Sequence, residues 1–263
     1  MHTVVCIKQI LDPEIPPREF RVDPETKSAV RGRASLVISP FDLNALEVAL
    51  QLKERAGGRV TALSLGGEET PEALRRALAM GCDEAVWIHD PALEGVDGSG
   101  TARCLAAAIG KLEGADLVLF GRQAGDWDQG QVGAMVAEAL GLPLVANAYQ
   151  TRGEGSSLQF LQQAEGGYQV VSAVLPAAAT ITNHESNVAR LPKVRDIMLA
   201  NRKPITQWSL ADLGLTPDEV APRATVEQLA IPVHEGSCTF IEGETAGEQA
   251  RNLARALREL KVI

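Results

Sequence analysis

The amino-acid sequence predicts an α/β fold, with a mostly parallel central sheet and helices on both faces. Three observations carry the prediction. Short apolar runs alternate with longer segments whose apolar residues recur at helical spacing, and the connections between them are short. The run Leu117, Val118, Leu119 and Phe120 is uninterrupted, the pattern of a parallel strand covered on both faces. The 263 residues, 45% of them hydrophobic, suffice to bury a substantial core in one large domain, or in one domain with an appendage.

The first strand is expected at Val4 to Ile7, with Lys8, Gln9 and Asp12 following its carboxyl end, where open α/β sheets place ligands or simply meet solvent. From Pro13 to Val37 the chain is rich in Pro, Arg and charge, which predicts a loop or a small hairpin excursion. A helix then starts with Ser39 as its cap, Pro40 in the first position and Asp42 three residues on, a capping-box-like start. Leu43, Leu46 and Leu50 line its buried face, and Gly57-Gly58 end it. Val60 to Leu65 is the next strand, and Thr70-Pro71 open a helix that runs to Met80 and stops at Gly81. Ala85 to Ile88 is a strand and Ala102 to Leu112 a helix, which delivers the chain to Leu117. Right-handed crossovers then put the strands parallel. Beyond Gly141, Leu158 to Leu161 and Tyr168 to Val174 flank Glu165-Gly166-Gly167, a hairpin signal. Pro176 to Thr182 reads as a buried strand of small residues. A short helix is expected at Ser209 to Leu213, and Thr245 to Leu260 is a final amphipathic helix with Ala250, Leu253, Ala254 and Leu257 on one face.

A net charge of -9 and a pI near 5.1 argue against a general nucleic-acid surface. No apolar run is long enough to cross a bilayer, and the chain reads as cytoplasmic. Cys6, Cys82, Cys104 and Cys238 are scattered in apolar or small-residue surroundings, which predicts buried free thiols in a reducing compartment. His2, His89, His184 and His234 are equally dispersed, so spacing assembles no catalytic triad or zinc set.

The candidate site is the turn after Phe120. Gly121, Gly125, Gly130 and Gly133 let backbone N–H groups approach a ligand, and the helix expected from near Gln129 points its positive end at the same place. Gln123, Asp126, Asp128 and Gln131 add amides and acceptors suited to ribose hydroxyls and an adenine edge. Neither the dinucleotide glycine fingerprint nor a Gly-Lys-Ser/Thr phosphate loop is present, and the spacing also suits an ordinary tight α/β connection.

Several stretches together resemble one family, the beta subunits of electron transfer flavoproteins (ETF), the type that includes FixA. They are VVCIKQ, SPFDLNALEVALQLKE, TALSLGG, LRRALAMGCDEA, DLVLFGRQAGDWDQGQVGAMVAEALG, EGGYQVVSAVLPAAAT and IMLANRKPI, in family order, with WSLADLG fitting the tail. The resemblance implies an adenine-nucleotide-binding (HUP-like) α/β domain at 1–203. It also implies a C-terminal arm at 204–263 that wraps a partner ETF alpha subunit. The heterodimer would carry electrons between flavin dehydrogenases or NADH-linked partners and an acceptor, a quinone oxidoreductase or ferredoxin. It would be an electron carrier whose flavin chemistry belongs to the cofactor.

By motif position, the nucleotide in the beta subunit would touch Cys6, Ser39, Leu65, Gly121 and Asp126 through Val132. Backbone amides of Gly130, Gln131, Val132 and Gly133 would hold its phosphates. AMP fills this site in the common type and a second FAD in the electron-bifurcating type. The chain reads QVG where AMP-binding members look like NQTG, which favours FAD, with AMP as the alternative. Trp127 stands where small or acidic residues are usual, an indole that stacks on a ring or blocks one. Gln129-Gly130 replace Thr-Ala, and Gln162 and Gln169 replace charged residues. In the family, the segment matching Arg190 to Met198 docks on partner dehydrogenases through one apolar side chain. Here Val194, between Lys193 and Arg195, takes that position, one methylene short of the usual leucine and worth about 0.8 kcal/mol less.

Overall fold

The computed structural model describes residues 1–153, 155–232, 236 and 238–263, so His234 lies outside the described residues. The elements run in chain order: β1 (His2–Cys6), β2 (Gln9–Leu11), β3 (Val22–Asp23), β4 (Ser28–Ala29), β5 (Leu36–Ile38), α1 (Pro40–Ala56), β6 (Arg59–Leu65), α2 (Thr70–Met80), β7 (Glu84–Ile88), α3 (Gly98–Lys111), β8 (Leu117–Gly121), α4 (Val132–Ala139), β9 (Leu144–Arg152), β10 (Ser157–Ala164), β11 (Gly167–Val174), β12 (Ala177–Ile181), α5 (Val194–Ala200), β13 (Thr206–Trp208), α6 (Pro217–Val220) and α7 (Ala246–Glu259).

Among the described residues, nine strands form the main sheet in the order β11-β10-β9-β12-β8-β1-β6-β7-β13. From β9 to β13 the pairings are parallel, while β10 pairs antiparallel with both β9 and β11. The uninterrupted run at 117–120 is explained by its two covered faces. Leu117 and Leu119 join Val5 and the buried sides of α1 and α2, whereas Val118 and Phe120 join Val4, α3 and α4. Alternate side chains of one strand thus feed two cores, so no position is left for a polar residue.

The excursion at 13–37 contains the two-residue pairing of β3 with β4, and β2 pairs antiparallel with β5. The β10–β11 hairpin forms as its Gly166-Gly167 turn predicts, and it sets Gln162 directly opposite Gln169. The two amides that replace charged residues are cross-strand partners. β13 pairs with β7 at the far edge, so the chain just after residue 204 extends the sheet.

The chain divides into two compact units, Met1–Gln228 and Leu229–Ile263. Within the second, α7 is capped by Thr245, whose Oγ1 accepts from Glu248 N–H, and none of its residues is buried. No described helix is long and apolar enough to cross a membrane. Cys6, Cys82 and Cys104 are buried free thiols. Cys238 is exposed, against the expectation of burial, because it lies in the second unit outside both apolar cores.

Candidate functional site

The parallel sheet brings three expected site residues to one edge. Cys6, Leu65 and Gly121 stand at or near the carboxyl ends of β1, β6 and β8, three neighbouring strands, with Cys6 buried against the sheet. The turn 122–131 rises from the last of them. The backbone N–H groups of Gly130 and Gln131 at its end, and of Val132 and Gly133 just beyond, donate to no acceptor among the described residues. They lead into α4, whose first turn adds its positive dipole end. Gly133 is buried, and a Cβ there would come within 3.0 Å of Thr180 and 3.1 Å of Phe120, so glycine is what lets α4 sit this close to the sheet. The helix starts at Val132, with Gln131 at its cap, rather than near Gln129. Gly130 adopts φ +63° and Asp128 φ +52°, so the preceding residues are committed to the turn.

The turn is held from three sides. Lys8 Nζ reaches Asp126 Oδ2 at 2.6 Å, Gln123 Nε2 donates to Asp128 Oδ1 at 2.9 Å, and Asp128 N–H closes back on the Ala124 carbonyl at 3.0 Å. Ser39 and Asp42 supply the third hold, and here the expected capping box is not what forms. Ser39, fully buried, caps nothing with its side chain; its Oγ accepts from Gly125 N–H at 3.3 Å. Asp42 accepts from Lys8 N–H at 2.8 Å through Oδ2 and from Gly121 N–H at 2.9 Å through Oδ1. Backbone donors at the ends of β1 and β8 hold Asp42, and one within the turn holds Ser39, so neither side chain is left for the helix's own N–H groups. Burial pushes the Asp42 carboxyl up to about 7, against the two backbone hydrogen bonds and the Lys8 charge, which pull it down. Burial and the Asp42 charge raise the Cys6 thiol well above its usual range, so it stays protonated.

Sequence spacing does not reveal the role of Asp42, because its partners lie 34 and 79 residues away. Arg122 is a second residue it misses. The guanidinium lies 4.5 Å over the Phe41 ring and donates to Thr182 Oγ1 at 3.3 Å, which ties the turn to the end of β12.

The residues expected to dock a partner form a separate surface. Lys193 caps α5, Val194 is its first residue and 75% exposed, and Arg195 follows. Leu191, not singled out by sequence, is more exposed still at 83%, and Val188, Ile197, Met198 and Leu199 extend the apolar patch. Arg190 pins this segment to α1. Its Nε and Nη2 fork onto the two oxygens of the buried Glu47, each at 2.9 Å, and it also bonds Glu54. The fork holds both Glu47 and Glu54 below the usual carboxylate range, with burial opposing the fall at Glu47.

A family model described as the electron transfer flavoprotein domain matches residues 28–213. The chain belongs to the electron transfer flavoprotein beta-subunit family. It is 37% identical to the caffeyl-CoA reductase–Etf complex subunit CarD of Acetobacterium woodii over the full length of both proteins. The electron transfer flavoprotein subunit beta of Thermoanaerobacterium thermosaccharolyticum is 36% identical, again over both whole chains. Protein FixA of Azorhizobium caulinodans is 38% identical over 82% of this chain and 77% of its own. An ETF beta subunit transfers electrons together with an ETF alpha partner. The free N–H groups and the helix N-terminus of this beta subunit fit the phosphates of a nucleotide, and its glycines leave them open to one.

Proposed function

We propose that this ETF beta subunit holds a second FAD in the turn 121–133 and works in an electron-bifurcating heterodimer. The observation that carries the reading is the row of four N–H groups from Gly130 to Gly133 that have no acceptor among the described residues, set at the carboxyl edge where Cys6, Leu65 and Gly121 converge. Bound flavin supplies the one- and two-electron chemistry. The chain's own part is to bind and orient. The amides take the phosphates, Ser39 and Asp42 hold the turn against β1 and β8, and Gln123, Asp126, Asp128 and Gln131 border the place for the ribose and ring. Similarity to a protein named as part of a caffeyl-CoA reductase–Etf complex supports a place in an electron-transfer complex, and the QVG of the turn favours FAD over AMP.

In the same reading, the arm 204–263 wraps the alpha subunit, with the unburied apolar side of α7 as its contact. Val194, Lys193, Arg195 and the more exposed Leu191 dock a flavin dehydrogenase or NADH-linked donor, and electrons leave to a quinone oxidoreductase or ferredoxin. The three buried thiols support a reducing, cytoplasmic setting.

Coexpression with the alpha subunit, denaturation of the purified complex and chromatographic counting of released nucleotide tests the proposal. Two FAD and no AMP per heterodimer are expected. One FAD with one AMP overturns the second-flavin assignment and leaves a simple single-electron shuttle.

A further inference from the structure

Trp127 sits at the crown of the candidate turn and is 48% exposed. That exposure is not looseness of the backbone around it. Its backbone N–H donates to Asp126 Oδ1 at 3.0 Å, Asp126 is tied to Lys8, Asp128 is tied to Gln123, and Asp128 N–H closes the turn on the Ala124 carbonyl. The turn therefore presents a large apolar ring that it gives no core to enter. Three residues further on from Trp127, the N–H groups of Gly130 to Gly133 donate to no acceptor among the described residues. The two acids that flank it are both engaged, Asp126 by an ammonium and Asp128 by an amide, which reduces their repulsion of an anion.

We propose that Trp127 is a specificity-determining residue that stacks on the planar ring of the nucleotide whose phosphates the turn holds. Indole against a heteroaromatic ring tolerates any base and is governed by area and π-face, so it selects nucleotides over bare phosphate. The inference rests on the nucleotide reading of the turn and adds to it which residue meets the ring. The ring is adenine or isoalloxazine, and both offer the same face.

The test uses the full-length chain with three probes: AMP, FMN and inorganic pyrophosphate. Each is titrated calorimetrically and by tryptophan emission. Binding of a ring-bearing probe is expected to quench the emission. Trp127→Ala is expected to weaken that probe about tenfold or more. Pyrophosphate affinity stays unchanged, and Trp127→Phe recovers most of the loss. Whether AMP or FMN carries the loss tells the two rings apart. Equal weakening of pyrophosphate would show that Trp127 only shapes the turn, and unchanged affinity for all three would show that the indole meets no ring. Either result overturns the stacking role while leaving the nucleotide site standing. A wild-type chain that binds none of the three overturns the site itself, and the stacking role with it.

Discussion

Replacing Asp42 with asparagine isolates what it costs to keep a carboxylate beneath the turn. Asp42 is 7% exposed, and each oxygen accepts one backbone N–H, from Lys8 and from Gly121. Burial raises its carboxyl from 3.8 to about 7. Across that window the folded chain keeps a proton that the unfolded chain has released. The stability linked to that proton is fully present below the unfolded value and is gone once pH passes the folded one. Between pH 5 and pH 8, wild type should lose about 3 kcal/mol through this group, from about 1.4 kcal/mol per pH unit up to the folded value near 7. Asparagine has no proton to release and lacks that slope, but its NH2 faces one of the two N–H donors. Leaving that donor unsatisfied costs about 1–3 kcal/mol at every pH. Asp42→Asn should therefore be less stable than wild type at pH 5 and nearly equal or more stable at pH 8. Urea unfolding at the two pH values, with unchanged m-values, measures it. A stability difference that is the same at both would refute the buried, proton-holding carboxylate.

Gly121→Ala places a Cβ 2.3 Å from Asp42 Oδ1 and 2.7 Å from its backbone nitrogen, so it should cost about 3 kcal/mol in a thermal melt and deplete bound nucleotide in the purified complex. Arg190→Met strands Glu47, whose side chain is 7% exposed; since Arg190 itself is 32% exposed, the cost falls to about 1–3 kcal/mol, and adding Glu47→Gln should recover most of it in a double-mutant cycle. The depressed Glu47 carboxyl makes its share of stability present above 4.5 and lost as pH falls through its lower folded value, a fall that Glu47→Gln should remove from an acid titration. Leu191→Asp, at the most exposed apolar position of the proposed docking segment, should raise KM for a reduced flavin dehydrogenase while nucleotide content stays at wild-type level.

The sequence makes legible whatever depends on local pattern. The four apolar residues of β8, the Gly166-Gly167 hairpin and the small-residue strand β12 all form where periodicity and turn chemistry place them. What it conceals is where long-range partners compete with local ones. Ser39 and Asp42 have the spacing of a capping box, and the physics of a helix start does favour them. Yet two strand ends with their own orphan donors lie nearer, and the carboxylate satisfies both at once. β2 and β5 escape notice for a similar reason. At three residues each, they show too little alternation to stand out, and only their mutual pairing makes them strands. Leu191 is missed because a motif position names Val194, whereas exposure depends on where Arg190 fastens the chain.

That fastening leads back to α1, which carries both surfaces. Its first turn grips the ends of β1 and β8 through Asp42 and the candidate turn through Ser39. Further along, Asn44 donates to the carbonyl and side-chain oxygens of Asn187, Gln51 donates to the Ser186 carbonyl, and Glu47 and Glu54 hold Arg190. The polar residues that interrupt the helix's apolar face are thus tethers. A helix stabilised only by its own pattern would need none of them, and Glu47 in particular would be costly to bury without its guanidinium. In the proposed reading, the candidate nucleotide turn and the proposed docking segment both hang on one helix of 17 residues, so the helix sets their separation. The proposed electron transfer would need that property, since it depends on the distance between a cofactor held at the turn and a partner seated at the docking segment.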